Sequence, residues 1–135
     1  MNKLKVLIVE DEVIIAWDLK RTIEKLEGGV VDIAASADKA VEHARVHAPD
    51  LILMDIGLKG QRTGIDAAVE IRSFSKAPII FLTGNTHLVD DALIESIRAQ
   101  GLYSKPPSRP QLMEMLDIAR GHFRPHLTPR PFPSS

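Results

Sequence analysis

Leu4-Lys5-Val6-Leu7-Ile8-Val9-Glu10-Asp11-Glu12 sets six largely apolar residues directly before three acids. Its apolar run is far too short to span a bilayer. An acidic block follows at once, which no secretory leader core contains. Unbroken apolar character over about six residues suits a strand buried on both faces. The strand then ends on carboxylates, and Val13 to Glu27 reads as a helix stopped by Gly28-Gly29.

The same alternation continues down the chain. Val30 to Ala34 reads as a second strand and Ala37 to Val46 as a helix that ends before Pro49. Leu51 to Met54 is a third strand, followed by a loop with Gly57, Gly60 and Gly64 and a helix from Ile65 to Phe74. Pro78 to Leu82 is the fourth strand, His87 to Ala99 a helix, Leu102 to Ser104 the fifth strand and Pro110 to Arg120 the last helix. Strands alternating with helices imply βαβ units, hence a parallel sheet covered on both faces.

Composition narrows the function classes. The 135 residues fit one domain. Net charge is -1, so no strong overall field draws the chain to nucleic acid or to a membrane. There are no cysteines, which removes disulfides, thiolate catalysis and thiolate metal sites. These features fit a soluble, cytoplasmic protein. Residues 1–120 read as the folded domain. Residues 121–135 hold Pro125, Pro129, Pro131 and Pro133 and read as a proline-rich, disordered tail.

In an open parallel sheet, ligands gather at the carboxyl ends of the strands. Those ends carry Glu10-Asp11, Asp55, Thr83-Gly84 and Lys105-Pro106. Each alone has an ordinary explanation: a helix cap, a loop acid, a solvated lysine. Together they place three carboxylates, a hydroxyl and an ammonium on one rim. Crowded carboxylates repel unless a cation sits among them. An all-oxygen donor set suits Mg²⁺. A carboxylate beside that ion can act as a nucleophile toward phosphorus, and phosphoryl transfer needs mainly positioning and charge neutralisation. Thr83 and Lys105 supply groups for the phosphoryl oxygens.

This set resembles the receiver domain of two-component response regulators. The matching pieces are Val9-Glu10-Asp11-Glu12, Leu51-Ile52-Leu53-Met54-Asp55-Ile56, Pro78 to Thr83 and Ser104-Lys105-Pro106. The resemblance implies a flavodoxin-like five-stranded parallel sheet of order 2-1-3-4-5 with five helices on both faces. It implies that Asp55 accepts a phosphoryl group from a histidine kinase or phosphotransfer protein. It implies Mg²⁺ held by Glu10, Asp11, Asp55 and the carbonyl of Gly57. Lys105 contacts the phosphate, Thr83 follows it on activation, and the Lys105-Pro106 bond is cis. The chain is then a phosphoacceptor that assists its own phosphorylation and dephosphorylation rather than a true enzyme.

Three features depart from the usual pattern. Leu102 stands where most receivers carry an aromatic switch residue, and Tyr103 comes one position later. Phe81-Leu82-Thr83 with Gly101-Leu102-Tyr103 instead resembles the FAT GUY receivers, often single-domain regulators acting in stress responses. Thr83 and Tyr103 are therefore the expected switch pair. Leu58-Lys59 replaces the usual Met-Pro, and the loop to Gly64 is about one residue longer. With only a tail after residue 120, the output is expected to act in trans on an unknown downstream protein, or as a phosphate sink or shuttle.

Ile15, Leu19, Ile23 and Leu26 form a core stripe on the first helix, and Leu112, Met115, Leu116 and Ala119 one on the last. Val13, Ile14 and Trp17 fall off the first stripe and are expected to help dock a phosphodonor. The alternative is a Trp17 folded over neighbouring aliphatic side chains. His43 and His47 lie one turn apart, but no third ligand is visible, which leaves a solvated helix face. His87 lies just beyond Thr83-Gly84-Asn85, where it could affect access to the phosphate. Gly57 and Asn85 flank the route of attacking water and are expected to set the phosphoryl lifetime. Met113 reads as packing rather than part of a partner surface, and the tail as plain disorder rather than a groove ligand.

Two other functions share the acidic set. One is a Mg²⁺-dependent phosphohydrolase with an aspartyl-phosphate intermediate. Such enzymes commonly place a second acid two residues past the nucleophile, where this chain has Gly57. The other is a degenerate receiver that binds partners without phosphorylation, which the intact acidic set argues against.

Overall fold

The computed structural model describes residues 3–84 and 91–121. The elements run β1 (Leu4–Val9), α1 (Val13–Lys25), β2 (Gly28–Ala34), α2 (Ala37–His47) and β3 (Leu51–Asp55). They continue α3 (Gly64–Arg72), β4 (Ile79–Thr83), α4 (Asp91–Ser96), β5 (Gly101–Ser104) and α5 (Arg109–Arg120). The strands form one sheet of order β2-β1-β3-β4-β5, parallel at every pairing. This is the expected 2-1-3-4-5 arrangement. The tail beyond Gly121, Asn85 and His87 lie outside the described residues, as does the expected start of α4.

Two apolar layers flank the sheet. One face carries Leu7, Val9, Ile52, Met54 and Phe81 and packs against α2, α3 and α4. The other carries Val6, Ile8, Leu53, Ile80 and Leu82 and packs against α1 and α5. Successive strand residues thus alternate between two buried layers, which is why the strands read as continuous apolar runs.

The structure corrects the reading of Gly28-Gly29. They do not stand between α1 and the next strand; they begin β2. α1 already ends at Lys25, and Glu27 adopts a left-handed φ of 69°. Gly28 is needed for close approach: a Cβ there would lie 2.6 Å from Ile23 Cγ2. Within α1 the buried positions are Ala16, Leu19 and Ile23, while Ile15 and, just past the helix, Leu26 are only partly buried. Pro78 precedes β4 rather than opening it, and its carbonyl accepts from Ile52 N at 2.9 Å.

Gly64 fixes the turn into α3. A Cβ there would meet the Asp55 carbonyl oxygen at 2.2 Å. Thr63 and Asp66 form a capping box over the same helix start. The segment that departs from the family pattern is anchored too. Leu58 is buried in the α2–α4 layer, and Arg62 pairs with Asp38 and Glu70 at 2.6 Å each. Arg72 ties α3 to the chain before β5 through the Ile97 carbonyl (2.8 Å) and to the chain before β4 through the Ala77 carbonyl (2.7 Å).

Candidate functional site

Parallel order brings every strand's carboxyl end to the same edge of the sheet. Glu10 and Asp11 leave β1, Asp55 ends β3, Thr83 ends β4 and Lys105 follows β5. Glu10, Asp55 and Thr83 are buried there, whereas Asp11 is half-buried at the mouth. One oxygen from each of Glu10, Asp11 and Asp55 lies within 4.8 Å of the others.

Each carboxylate is held by a backbone donor. Glu12 N donates to Glu10 Oε2 at 3.1 Å, Gly57 N to Asp55 Oδ1 at 2.9 Å, and Lys59 N to Asp11 Oδ2 at 2.9 Å. Lys105 Nζ bridges Glu10 Oε1 at 3.0 Å and Asp55 Oδ2 at 3.2 Å. Its own backbone N donates to the Thr83 carbonyl at 2.8 Å, and the Lys105–Pro106 peptide is cis. The roles of Glu12 and Lys59 escape sequence reading, because their backbone amides rather than their side chains do the holding.

Among the described residues the charges at this rim do not balance: three carboxylates face one ammonium. Burial raises the Glu10 carboxyl above its ordinary value, and the Asp55 charge adds to this; Glu12 N and Lys105 pull it back. Burial alone would lower the Lys105 ammonium, but its contacts with Glu10 and Asp55 outweigh this and raise it. A partly buried cluster with excess negative charge and only oxygen donors fits a hard divalent cation of the Mg²⁺ type. Beside it, a Cβ at Gly84 would meet nothing within 4 Å, so the rim there is open.

The two switch candidates sit differently from one another. Thr83 lies at the rim. Tyr103 points to the α1/α5 layer, while Leu102 points to the α2–α4 layer. The Tyr103 hydroxyl donates to Glu114 Oε1 at 2.5 Å across to α5. Burial, then the Glu114 contact, push the phenol well above its usual value. Strand alternation foretells the change of face; the Glu114 partner is eleven residues on and carries no local signal.

Val13, Ile14 and Trp17 are exposed at the first turns of α1, at 60%, 84% and 63%. Trp17 is therefore not folded over its neighbours. Beside this patch, Ile14, Asp18 and Leu19 of α1 line a groove with Pro106, Arg109 and Leu112. Met113 is exposed at 49%, so it is not core packing. No helix among the described residues is long and apolar enough to cross a membrane.

Comparison with known proteins matches this arrangement. The response regulator receiver domain family matches residues 6–117. The transcriptional regulatory protein PdtaR of Mycobacterium tuberculosis is 37% identical over 123 residues, covering 89% of this chain and 58% of that protein. The phyllosphere-induced regulator PhyR of Methylorubrum extorquens is 38% identical over 80 residues, 58% of this chain and 30% of that protein. The chain thus spans less than two thirds of either relative. Among solved structures, the N-terminal domain of a response regulator/sensory box/GGDEF three-domain protein from Carboxydothermus hydrogenoformans superimposes with a TM-score of 0.77. It is 34% identical and covers 85% of this chain and 92% of that one. The chain belongs to the response regulator receiver domain family.

Proposed function

We propose that Asp55 accepts a phosphoryl group from a histidine kinase or phosphotransfer protein and that this modification switches the affinity of a downstream partner. What carries the reading is the Asp55 carboxylate itself. It is buried at the end of β3, held by Gly57 N, and shares Lys105 Nζ with Glu10.

One Asp55 carboxylate oxygen attacks phosphorus as the phosphorus–nitrogen bond to the donor imidazole breaks. The imidazole departs with that electron pair. Glu10, Asp11, Asp55 and the Gly57 carbonyl would hold Mg²⁺, which would supply charge neutralisation for the phosphoryl oxygens. Lys105 then exchanges its Asp55 contact for a phosphoryl oxygen, and the Thr83 hydroxyl bonds another. Hydrolysis reverses the modification, with water reaching the phosphoryl group past Gly57. A Cβ at position 57 would stand 3.6 Å from Asp55 Oδ1, an ordinary contact directly beside the acceptor.

Val13, Ile14 and Trp17 are the docking patch for the donor's helices, continuous with the groove between α1 and α5. Thr83 and Tyr103 pass the change to the α4–β5–α5 side, where it alters a partner's affinity. We place this activity in the cytoplasm. Draining phosphate from a shared kinase is a further use of the same chemistry.

The test is incubation with a small phosphodonor and Mg²⁺. The expected result is an acid-stable, base-labile adduct that is absent without Mg²⁺ and lost in Asp55→Ala. Sustained turnover of a phosphate ester would instead make the chain a hydrolase. No adduct, even from a cognate kinase, would make it a phosphorylation-independent binding module.

A further inference from the structure

A second candidate cation site lies on the edge strand, away from the phosphoacceptor rim. His43 and His47 occupy successive turns of one α2 face. The register between β1 and β2 skips Val31: Val6 pairs with Val30, and Leu7 with Asp32. This bulge gives Asp32 the sheet face that α2 covers. Asp32 Oδ2 lies 3.1 Å from His43 Nδ1 and 3.4 Å from His47 Nε2. The two imidazole rings are stacked, with centroids 5.8 Å apart. The other Asp32 oxygen accepts from Ile33 N at 2.8 Å, which fixes the carboxylate with Oδ2 toward the histidines.

We propose that Asp32, His43 and His47 bind a zinc-class divalent transition metal ion. The donor set is two imidazole nitrogens and one carboxylate oxygen, which suits zinc rather than Mg²⁺. Distances agree as well. Ligands about 2.0–2.1 Å from a tetrahedral Zn²⁺ stand about 3.3–3.4 Å from one another. The two nitrogen–oxygen separations here are 3.1 and 3.4 Å, so the carboxylate already stands off each ring by a tetrahedral edge. All three donor atoms lie within 4.8 Å of one another, close enough to share one ion. The side chains are partly exposed, at 24%, 32% and 37%, so an ion has a path in and a water can complete the shell. The chain would then carry two cation sites of different chemistry. The oxygen-only site serves phosphoryl transfer. The nitrogen-containing site pins α2 to the edge strand.

The test is titration of the full chain with Zn²⁺ in excess Mg²⁺, which keeps the acidic pocket filled. Co²⁺ substitution, read by visible absorption, reports geometry. One Zn²⁺ should bind per chain, and Co²⁺ should show the intense bands of a tetrahedral site. His43→Gln, His47→Gln and Asp32→Asn should each weaken Zn²⁺ binding at least about tenfold, since even outer-shell changes cost that much. Glu42→Gln, on the same helix and outside the triad, should bind as the parent does. Circular dichroism shows that each variant remains folded. Absence of Zn²⁺ binding by the parent protein would overturn the proposal. So would binding that survives all three triad variants, and a fall in Asp11→Ala would then place the ion in the acidic pocket.

Discussion

Asp55→Asn should stabilise the metal-free protein while abolishing its capacity to be phosphorylated. Asp55 shares its pocket with Glu10 and Asp11, all within 4.8 Å of one another. At an effective dielectric of about 20, each such like-charge pair costs at least about 3.5 kcal/mol. The opposing contact with Lys105 at 3.2 Å is worth about 5 kcal/mol on the same scale. Removing the Asp55 charge thus relieves about 7 and forfeits about 5 kcal/mol, a net gain of roughly 2 kcal/mol. Asp11 is half-exposed, so solvent screening trims the gain to about 1–2 kcal/mol. Lys105 keeps Glu10 at 3.0 Å, so no charge is stranded. Urea unfolding in a chelating buffer is the assay, with Mg²⁺ added in a parallel series. The variant should have the higher midpoint without Mg²⁺, and Mg²⁺ should stabilise it less than the parent. A metal-free variant less stable than the parent would refute the claim that repulsion dominates the pocket.

Other perturbations separate the parts of the account. Gly64→Ala forces a Cβ to 2.2 Å from the Asp55 carbonyl and should cost about 2–3 kcal/mol in chemical denaturation, as overpacking does. Trp17→Ala should slow phosphotransfer from a cognate kinase at least tenfold, about 1.4 kcal/mol in barrier, and leave labelling by a small phosphodonor unchanged. Burial raises the Glu10 carboxyl above its ordinary 4.5. The folded state then binds more protons than the unfolded one between those values, so stability falls as pH rises through that window. The penalty is fully present above the raised value and fades as pH falls to 4.5. Glu10→Gln should remove this component from the metal-free stability–pH curve.

Much of this was legible in the residues because the sheet buries both faces. Leu51 to Met54 has no polar position to confuse, and strand ends in a parallel sheet converge by topology alone. That is why Glu10, Asp55 and Lys105 can be brought together across as many as 95 residues. Helical spacing likewise separates Trp17 from the buried face of α1. Gly28 misled because glycine serves equally as a helix stop and as a close-approach residue; only Ile23 against it decides. Leu58 reads as a loop residue, yet it plugs the layer beneath α2 and α3. Asp32 stayed hidden as a partner for His43 and His47 because its direction depends on a one-residue bulge. Such a bulge follows from pairing with β1 and leaves no period in the sequence.

Asp55 as the phosphoacceptor is tested by borohydride trapping after exposure to a small phosphodonor and Mg²⁺, followed by peptide mapping. Borohydride reduces an aspartyl phosphate to homoserine. The account predicts conversion at Asp55 alone, dependent on Mg²⁺ and markedly reduced in Lys105→Ala. Conversion at Asp11 or another acid, or none in protein that remains folded, would contradict it.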